Sequence, residues 1–300
     1  PGTGKTTTLN GIIDALEQQG KQVAIAAPTG RAAMRISEVT GREAKTIHRL
    51  LEVEVGFAKT GKLEFVHNEQ NPLEADAVIV DEMSMVDTLL FDALLRAMKP
   101  ASKLVMVGDF HQLPSVGAGN VLRDLIECGV PTVELTHIFR QAAQSLIVTN
   151  AHEIVEGRMP DLSRKDNDFF FLPFPNGAEA AAVIADLCSF RLPKSYGFSP
   201  FEEIQVLCPS RKGELGSVEL NHRLQERLNP AEPGKMEFKS SAYRFRTGDK
   251  VMQIKNNYDI SWTKGAETGG GIFNGDIGII KMIDRGSKTM AIHFDERVCY

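Results

Sequence analysis

The sequence holds no run approaching the ~20 uninterrupted apolar residues of a membrane span, and no basic segment with an apolar core opens it. The expectation is a soluble, cytoplasmic chain with no membrane partner. Cysteine is scarce. Cys128, Cys188, Cys208 and Cys299 form no CxxC pair and lie far apart, which excludes a thiolate zinc cluster and a disulfide framework and suits a reducing compartment. They are expected to be buried apolar residues. Excess positive charge is also missing: 34 Lys and Arg stand against 39 Asp and Glu, a formal net charge of -5. No global field draws nucleic acid, so any such site must be local. There is no internal repeat and no low-complexity tract, which excludes solenoids and disordered arrays.

What is present is the composition of an ordinary globular chain, 42% hydrophobic and 24% charged over 300 residues, enough for two domains at ~150 residues each. Leu9, Ile12, Ile13 and Leu16 fall at helical spacing, Gly20 ends that helix, and Gln22 to Ala27 reads as a short buried strand. Apolar runs at Ala77 to Asp81, Lys103 to Val107 and Pro131 to Leu135 alternate with helical stretches at 89–98 and 119–127. Such alternation predicts a parallel sheet with helices on both faces. Between these units, residues 52–71 hold two β-type runs around Lys59-Thr60-Gly61-Lys62, which predicts an inserted β-hairpin. A helix to about Glu156 and a Pro-, Asn- and Phe-rich passage follow. Next come a helix over 178–190, a strand from Glu203 to Leu207 and a helix from Ser217 to Leu228. From Gly248 the pattern changes to short strands with Gly turns, predicting a small antiparallel barrel.

The chain begins at Pro1, already inside PGTGKTTT, which holds the last positions of G-x-x-x-x-G-K-[ST]. A segment of a longer protein is therefore expected. The backbone around Gly2, Thr3, Gly4 and Thr7 can close around phosphates, Lys5 can reach the terminal phosphates, and the Thr6 hydroxyl can ligate Mg²⁺ at a helix start that favours anions. In VIVDEMSMVD an apolar strand ends in Asp81-Glu82. Asp81 there can hold Mg²⁺ through its water shell and Glu82 can orient or deprotonate the attacking water; the alternative is that Asp81 caps the next helix. Together the two motifs predict nucleoside triphosphate hydrolysis.

GDFHQLP follows the next strand, so Gln112 stands where an amide can sense a terminal phosphate, unless it is an ordinary loop glutamine. APTGRAA presents Thr29 and Arg31 at a helix start, and TIHRLL presents Thr46 and His48 in the same manner. Each alone is more often a cap or a surface feature than a ligand.

Their order, continued by LTHIFRQ (Leu135 to Gln141) and LCPSRKG (Leu207 to Gly213), resembles the motif series of superfamily-1B DNA helicases, and most of all the RecD-like branch. The resemblance extends to GDKVMQIKNNYD and GIFNGDIGII, which look like that branch's SH3-like insertion. It implies an α/β P-loop NTPase fold with RecA-like parallel-sheet motor domains. The first spans residues 1–145 with its hairpin, residues 146–177 connect, 178–246 form part of a second, and 247–300 form part of the SH3-like barrel. It implies ATP and Mg²⁺ at Lys5, Thr6, Asp81 and Glu82, coupling through Gln112, and an arginine finger at Arg140, a role worth roughly 10³–10⁵ in rate. A salt bridge at a domain junction is the structural alternative for Arg140. It also implies a single-strand track at Thr29, Arg31, Thr46, His48, Ser210, Arg211 and Lys212. His48 equally fits a structural role. The hairpin resembles a wedge parting duplex at single-strand/duplex junctions, or else it decorates the domain edge. The implied activity is ATP-dependent 5′–3′ helicase action on single-stranded DNA in repair or recombination, with the 300 residues alone expected to hydrolyse ATP poorly. Two other readings stay open: the motor segment of a conjugative relaxase or exonuclease subunit, and a non-enzymatic nucleotide-dependent DNA-binding module.

Overall fold

Short apolar strands alternating with amphipathic helices can bury both faces of a sheet only if the helices cross over it, and the computed structural model has this form. It describes residues 3–52, 65–137, 142–240, 243–255, 257–265, 267–294 and 297–299. The chain divides into two units, Pro1–Phe171 and Leu172–Tyr300.

In the first unit, β1 (Val23–Ala27), β2 (Ala44–Thr46), β3 (Ala77–Val80) and β4 (Lys103–Met106) form a parallel sheet of order β2-β1-β3-β4. Its helices are α1 (Lys5–Gln18), α2 (Gly30–Thr40), α3 (Ile47–Leu51), α4 (Thr88–Ala97), α5 (Val121–Glu127) and α6 (Leu146–Val155). Strand β3 shows how the sequence builds the layers. Ala77 and Ile79 pack with Leu9, Ile13 and Ile36 of α1 and α2, whereas Val78 and Val80 pack with Ile47, Leu51, Leu94 and Leu122 of α3, α4 and α5. All four β3 residues are buried, so the period-two alternation feeds two cores rather than a core and a solvent face. Burial of each such branched side chain contributes about 1.5–3 kcal/mol, which fixes β3 and thereby the position of the residues that follow it.

Two expected strands are not formed. Pro131 to Leu135 carries no ladder, and Val133 there is 86% exposed: Pro131 has no N–H to donate, and two apolar side chains are too few for a strand covered on both faces. The fourth strand is instead β2, a three-residue Ala-Lys-Thr segment with no hydrophobic period to mark it. Glu203 to Leu207 likewise carries no ladder, and Leu207 is 88% exposed. No described strand of the second unit pairs with it, and an apolar run without a pairing partner cannot satisfy its backbone as a strand.

The second unit opens with α7 (Gly177–Asp186), which passes through a π-helical turn, Leu187–Arg191, into α8 (Leu192–Tyr196), and continues with α9 (Ser217–Leu228). A two-stranded antiparallel ribbon follows, β5 (Glu237–Lys239) and β6 (Arg244–Arg246). The last strands are β7 (Lys250–Met252), β8 (Asn257–Lys264), β9 (Glu267–Ile272), β10 (Ile277–Asp284), β11 (Thr289–Phe294) and β12 (Arg297–Cys299). They form the expected antiparallel sheet, of order β7-β10-β11-β12-β8-β9, around Ile272, Phe294 and Cys299. Arg246, 1% exposed, ties this sheet's entrance to α9: its Nε donates to Glu237 Oε1 at 2.7 Å, its Nη1 to the Asn229 carbonyl, and its backbone N–H to Asp249 Oδ2 at 2.6 Å.

All four cysteines are free thiols, but only Cys188 and Cys299 are buried. Cys128 is exposed because it caps the C-terminus of α5 rather than lying on an apolar face, and Cys208 is half-buried. No helix among the described residues is long and apolar enough to cross a membrane.

Candidate nucleotide and nucleic-acid sites

The nucleotide motif sits at the start of α1. Gly4, with φ 81° and ψ 22°, is the residue before the helix, and no side chain caps it. Only glycine takes that left-handed conformation without a Cβ penalty, and the helix end it opens is the positive end of the α1 dipole. Lys5 begins the helix, and Thr6 and Thr7 stand exposed on its first turn. Gly2 lies outside the described residues.

Across from it, β3 delivers the two acidic residues. The Asp81 N–H donates to the Ala26 carbonyl at 3.0 Å, a last link to β1, and Asp81 Oδ1 accepts the Glu82 N–H at 2.7 Å. Glu82 then turns into the left-handed region, φ 54° and ψ 39°, while the Met83 N–H bonds the Val107 carbonyl at 3.0 Å. A non-glycine residue held there costs about 1–3 kcal/mol, a strain characteristic of sites where the backbone aims a side chain. One Glu82 carboxylate oxygen, Oε2, is buried without a hydrogen-bond partner. Burial, then the Asp81 charge, raises the Glu82 pKa above the ordinary carboxylate value; Asp109 adds to this, and Lys5 and Arg35 partly offset it. A carboxyl in this state is poised to accept a proton.

The loop after β4 completes the cluster. Gly108 lets it run close to the Met83 turn: a Cβ there would stand 2.7 Å from Leu122 Cδ2 and 3.2 Å from the Met83 nitrogen. Asp109 comes next, with Oδ2 3.9 Å from Lys5 Nζ and 3.3 Å from the Gln112 Nε2 that donates to it. Its Oδ1 accepts the His111 N–H at 3.2 Å. Burial works to raise the Asp109 pKa, but the His111 N–H, Lys5 and Gln112 outweigh it and hold the carboxylate below its usual range. One carboxylate therefore holds both the P-loop lysine and the glutamine. Sequence reasoning singled out Gln112 and passed over Asp109 and Arg35. The signal for Asp109 was its place in the loop just past β4, beside the loop that Asp81 and Glu82 open after β3.

The expected nucleotide residues from Lys5 to Gln112 thus converge at the C-terminal ends of β3 and β4 beside the α1 N-terminus. Arg140 lies outside the described residues, as do residues 53–64 of the expected hairpin. On either side of them, the Val66 N–H bonds the Glu52 carbonyl at 2.8 Å and the His67 N–H the Leu51 carbonyl at 3.0 Å.

The expected DNA residues fall into different settings. Thr29 caps α2 by accepting the Ala32 N–H at 3.2 Å, leaving Arg31 exposed on the first turn. Thr46 caps α3 by accepting the Arg49 N–H at 3.1 Å and is 4% exposed, so its hydroxyl serves the fold. His48 is half-buried with its ring 6.0 Å from that of Phe65; burial lowers its pKa, the Asp87 charge opposing. In the second unit, Ser210, Arg211 and Lys212 are all exposed in the loop before α9, where the Ser210 hydroxyl donates to the Lys212 carbonyl at 2.9 Å and Arg211 Nη2 to the Tyr243 hydroxyl at 2.8 Å.

Residues 1–169 match an AAA domain, and residues 220–294 match the SH3 domain of ATP-dependent RecD-like DNA helicases. The chain is 37% identical to the ATP-dependent RecD2 DNA helicase of Deinococcus radiodurans, over 99% of this chain and 37% of that protein. It is 28% identical to the RecBCD enzyme subunit RecD of Mycolicibacterium smegmatis, over 97% of this chain and 55% of that protein. The chain thus spans well under two thirds of the length of either relative. Among solved structures, Bacteroides Pif1 bound to ssDNA shares the fold, with a TM-score of 0.50 at 21% identity over 100% of this chain and 68% of that one. The chain belongs to the AAA-domain family, and its pairing of that domain with a RecD-like helicase SH3 domain puts it on the RecD-like branch.

Proposed function

We propose that the chain is the motor segment of an ATP-dependent DNA helicase that moves 5′ to 3′ along single-stranded DNA and acts in cytoplasmic DNA repair or recombination. The observation that carries this reading is the convergence of Lys5, Glu82, Asp109 and Gln112 at one sheet end, in a chain that also holds a RecD-like helicase SH3 domain. The organisation proposed with it keeps the first motor domain at 1–145, the connection at 146–177, part of a second motor domain at 178–246 and the SH3-like region at 247–300.

The donor set fits a magnesium nucleotide. Thr6 offers a hydroxyl and Asp81 a carboxylate, hard oxygen donors of the few-ligand kind that Mg²⁺ takes when phosphates supply the rest; among the described residues no cluster of three or more metal-ligating side chains competes. Bound there, the ion would neutralise charge on the terminal phosphates. The N–H groups of Gly2 to Thr7 cradle the phosphates, and Lys5, now beside Asp109, turns to the β- and γ-phosphates. Glu82 orients the attacking water and takes its proton, favoured by the burial that raises its pKa. Gln112 reports the γ-phosphate state, and Arg140 supplies a fixed charge to the transition state. Arg31, Ser210, Arg211 and Lys212 hold DNA phosphates, with Thr29, Thr46 and His48 shaping the loops that present the track.

The test is strand separation by protein carrying this chain on duplexes with a 5′ or a 3′ single-stranded tail. ATP-dependent unwinding of the 5′-tailed substrate, lost in Lys5→Ala, supports the reading; nucleotide binding without ATP-dependent movement on either substrate sinks it.

A further inference from the structure

The ribbon β5–β6 carries an aromatic face that neither the nucleotide site nor the barrel core uses. Its register pairs Glu237 with Arg246, Phe238 with Phe245 and Lys239 with Arg244, so alternate side chains point to opposite faces. One face is committed to α9. Arg246 bonds Glu237, Glu226 and the Asn229 carbonyl, and Arg244 bonds Gln225 and Glu226. The other face holds Phe238 and Phe245 as a cross-strand pair, with Tyr243 two residues before Phe245 and therefore on the same side. The Tyr243 and Phe245 rings lie 6.1 Å apart at 38°, and Phe238 is 41% exposed.

This face touches the expected DNA loop. Arg211 donates to the Tyr243 hydroxyl at 2.8 Å, while the Ser217 N–H bonds the Ser210 carbonyl at 3.0 Å and folds that loop against the start of α9. The nearby acidic groups Glu226 and Glu237 are occupied by Arg244 and Arg246, whereas Arg211 and Lys212 are exposed. Half-exposed rings beside cations suit a strand of nucleotides, because every base has a face to stack and every linkage a negative charge.

We propose that Tyr243, Phe245 and Phe238 form a base-stacking platform for single-stranded DNA that continues the Arg211 loop onto the β5–β6 ribbon. The proposal rests on the DNA-motor reading, and adds binding residues that the motif series does not contain. Arg211 holds a phosphate from the edge of the platform, and the Tyr243 hydroxyl keeps its guanidinium in place. Stacking makes this part of the track tolerant of sequence, while Arg211 makes it sensitive to salt.

The experiment irradiates protein carrying this chain with an oligothymidylate in which single positions are 5-iododeoxyuridine, then locates the crosslinked peptide by mass spectrometry. Crosslinks at Tyr243, Phe245 or Phe238 are expected, and this readout needs no substitution. In binding titrations, Phe238→Ala and Tyr243→Ala are each expected to weaken affinity about 5- to 140-fold, Phe238→Ala with the salt slope unchanged. Arg211→Ala is expected to lower that slope by about one. Binding by the unsubstituted protein with crosslinks confined to other segments, and alanine variants within about two-fold of it, overturns the platform while leaving the DNA reading intact. Absence of any binding by the unsubstituted protein overturns the DNA reading itself.

Discussion

Glu82→Gln separates what the fold sacrifices at this site from what the chemistry gains. In the structure the Glu82 Oε2 is buried without a partner, and its carboxyl pKa is raised, first by burial and then by Asp81. An orphaned buried polar group costs about 1–3 kcal/mol, and more when charged. Glutamine keeps the shape and the left-handed backbone but removes the charge, so at pH 7 the variant should be more stable by roughly 1–2 kcal/mol, about 2–8 °C for a unit of this size. The pH dependence follows from the direction of the shift. A carboxyl whose folded pKa lies above its unfolded value, 4.5, binds its proton more tightly in the folded state. The native protein is therefore free of the penalty below pH 4.5, and its stability falls as pH rises from there through the folded pKa. The gap between Glu82→Gln and the unsubstituted protein should close as pH is lowered toward 4. The same substitution should reduce ATP turnover about 10²–10⁴-fold, the usual worth of a positioned base. Thermal unfolding at a series of pH values and steady-state ATP hydrolysis make the two measurements. A variant that melts at or below the unsubstituted protein at pH 7, or a gap that does not change with pH, would mean that the buried Glu82 charge carries no such penalty.

Thr46→Ala should lower the stability of the first unit by about 1 kcal/mol in urea unfolding, because it removes the side chain that caps α3. Unchanged stability with a loss of DNA affinity would instead make Thr46 a direct ligand. Arg246→Ala leaves Glu237 without its buried cation and the Asn229 carbonyl without its donor and should destabilise the second unit by about 3–5 kcal/mol, read by denaturant unfolding followed at Trp262. A change under about 1 kcal/mol would mean that solvent already screens the network.

The P-loop, the Asp81-Glu82 strand end and the Gln112 loop were legible because each follows a strong local pattern: a glycine before a helix, or an acidic or amide residue after an apolar strand. The two-faced burial of β3 was equally legible from its continuous apolar run. Strand β2 was not, since Ala-Lys-Thr has no hydrophobic period and owes its strand state to pairing with Ile25 to Ala27. The opposite error arose at Pro131 to Leu135 and Glu203 to Leu207, whose apolar residues imitate strands but find no partner. Asp109 escaped notice because its importance lies in what it touches, Lys5 more than a hundred positions away. Tyr243 escaped for the same reason: only the folded ribbon brings it to Arg211. Local patterns mark where chemistry-bearing residues leave a strand, whereas the partners that tune them come from tertiary contacts.

If the cluster around Lys5 and Glu82 hydrolyses ATP in response to single-stranded DNA, ATP turnover in protein carrying this chain, measured with and without an oligothymidylate and beside Lys5→Ala, will show it. Turnover should rise on adding the oligonucleotide, with the rise weakened by salt, and should vanish in Lys5→Ala. Turnover indifferent to DNA, or preserved in Lys5→Ala, would contradict that reading.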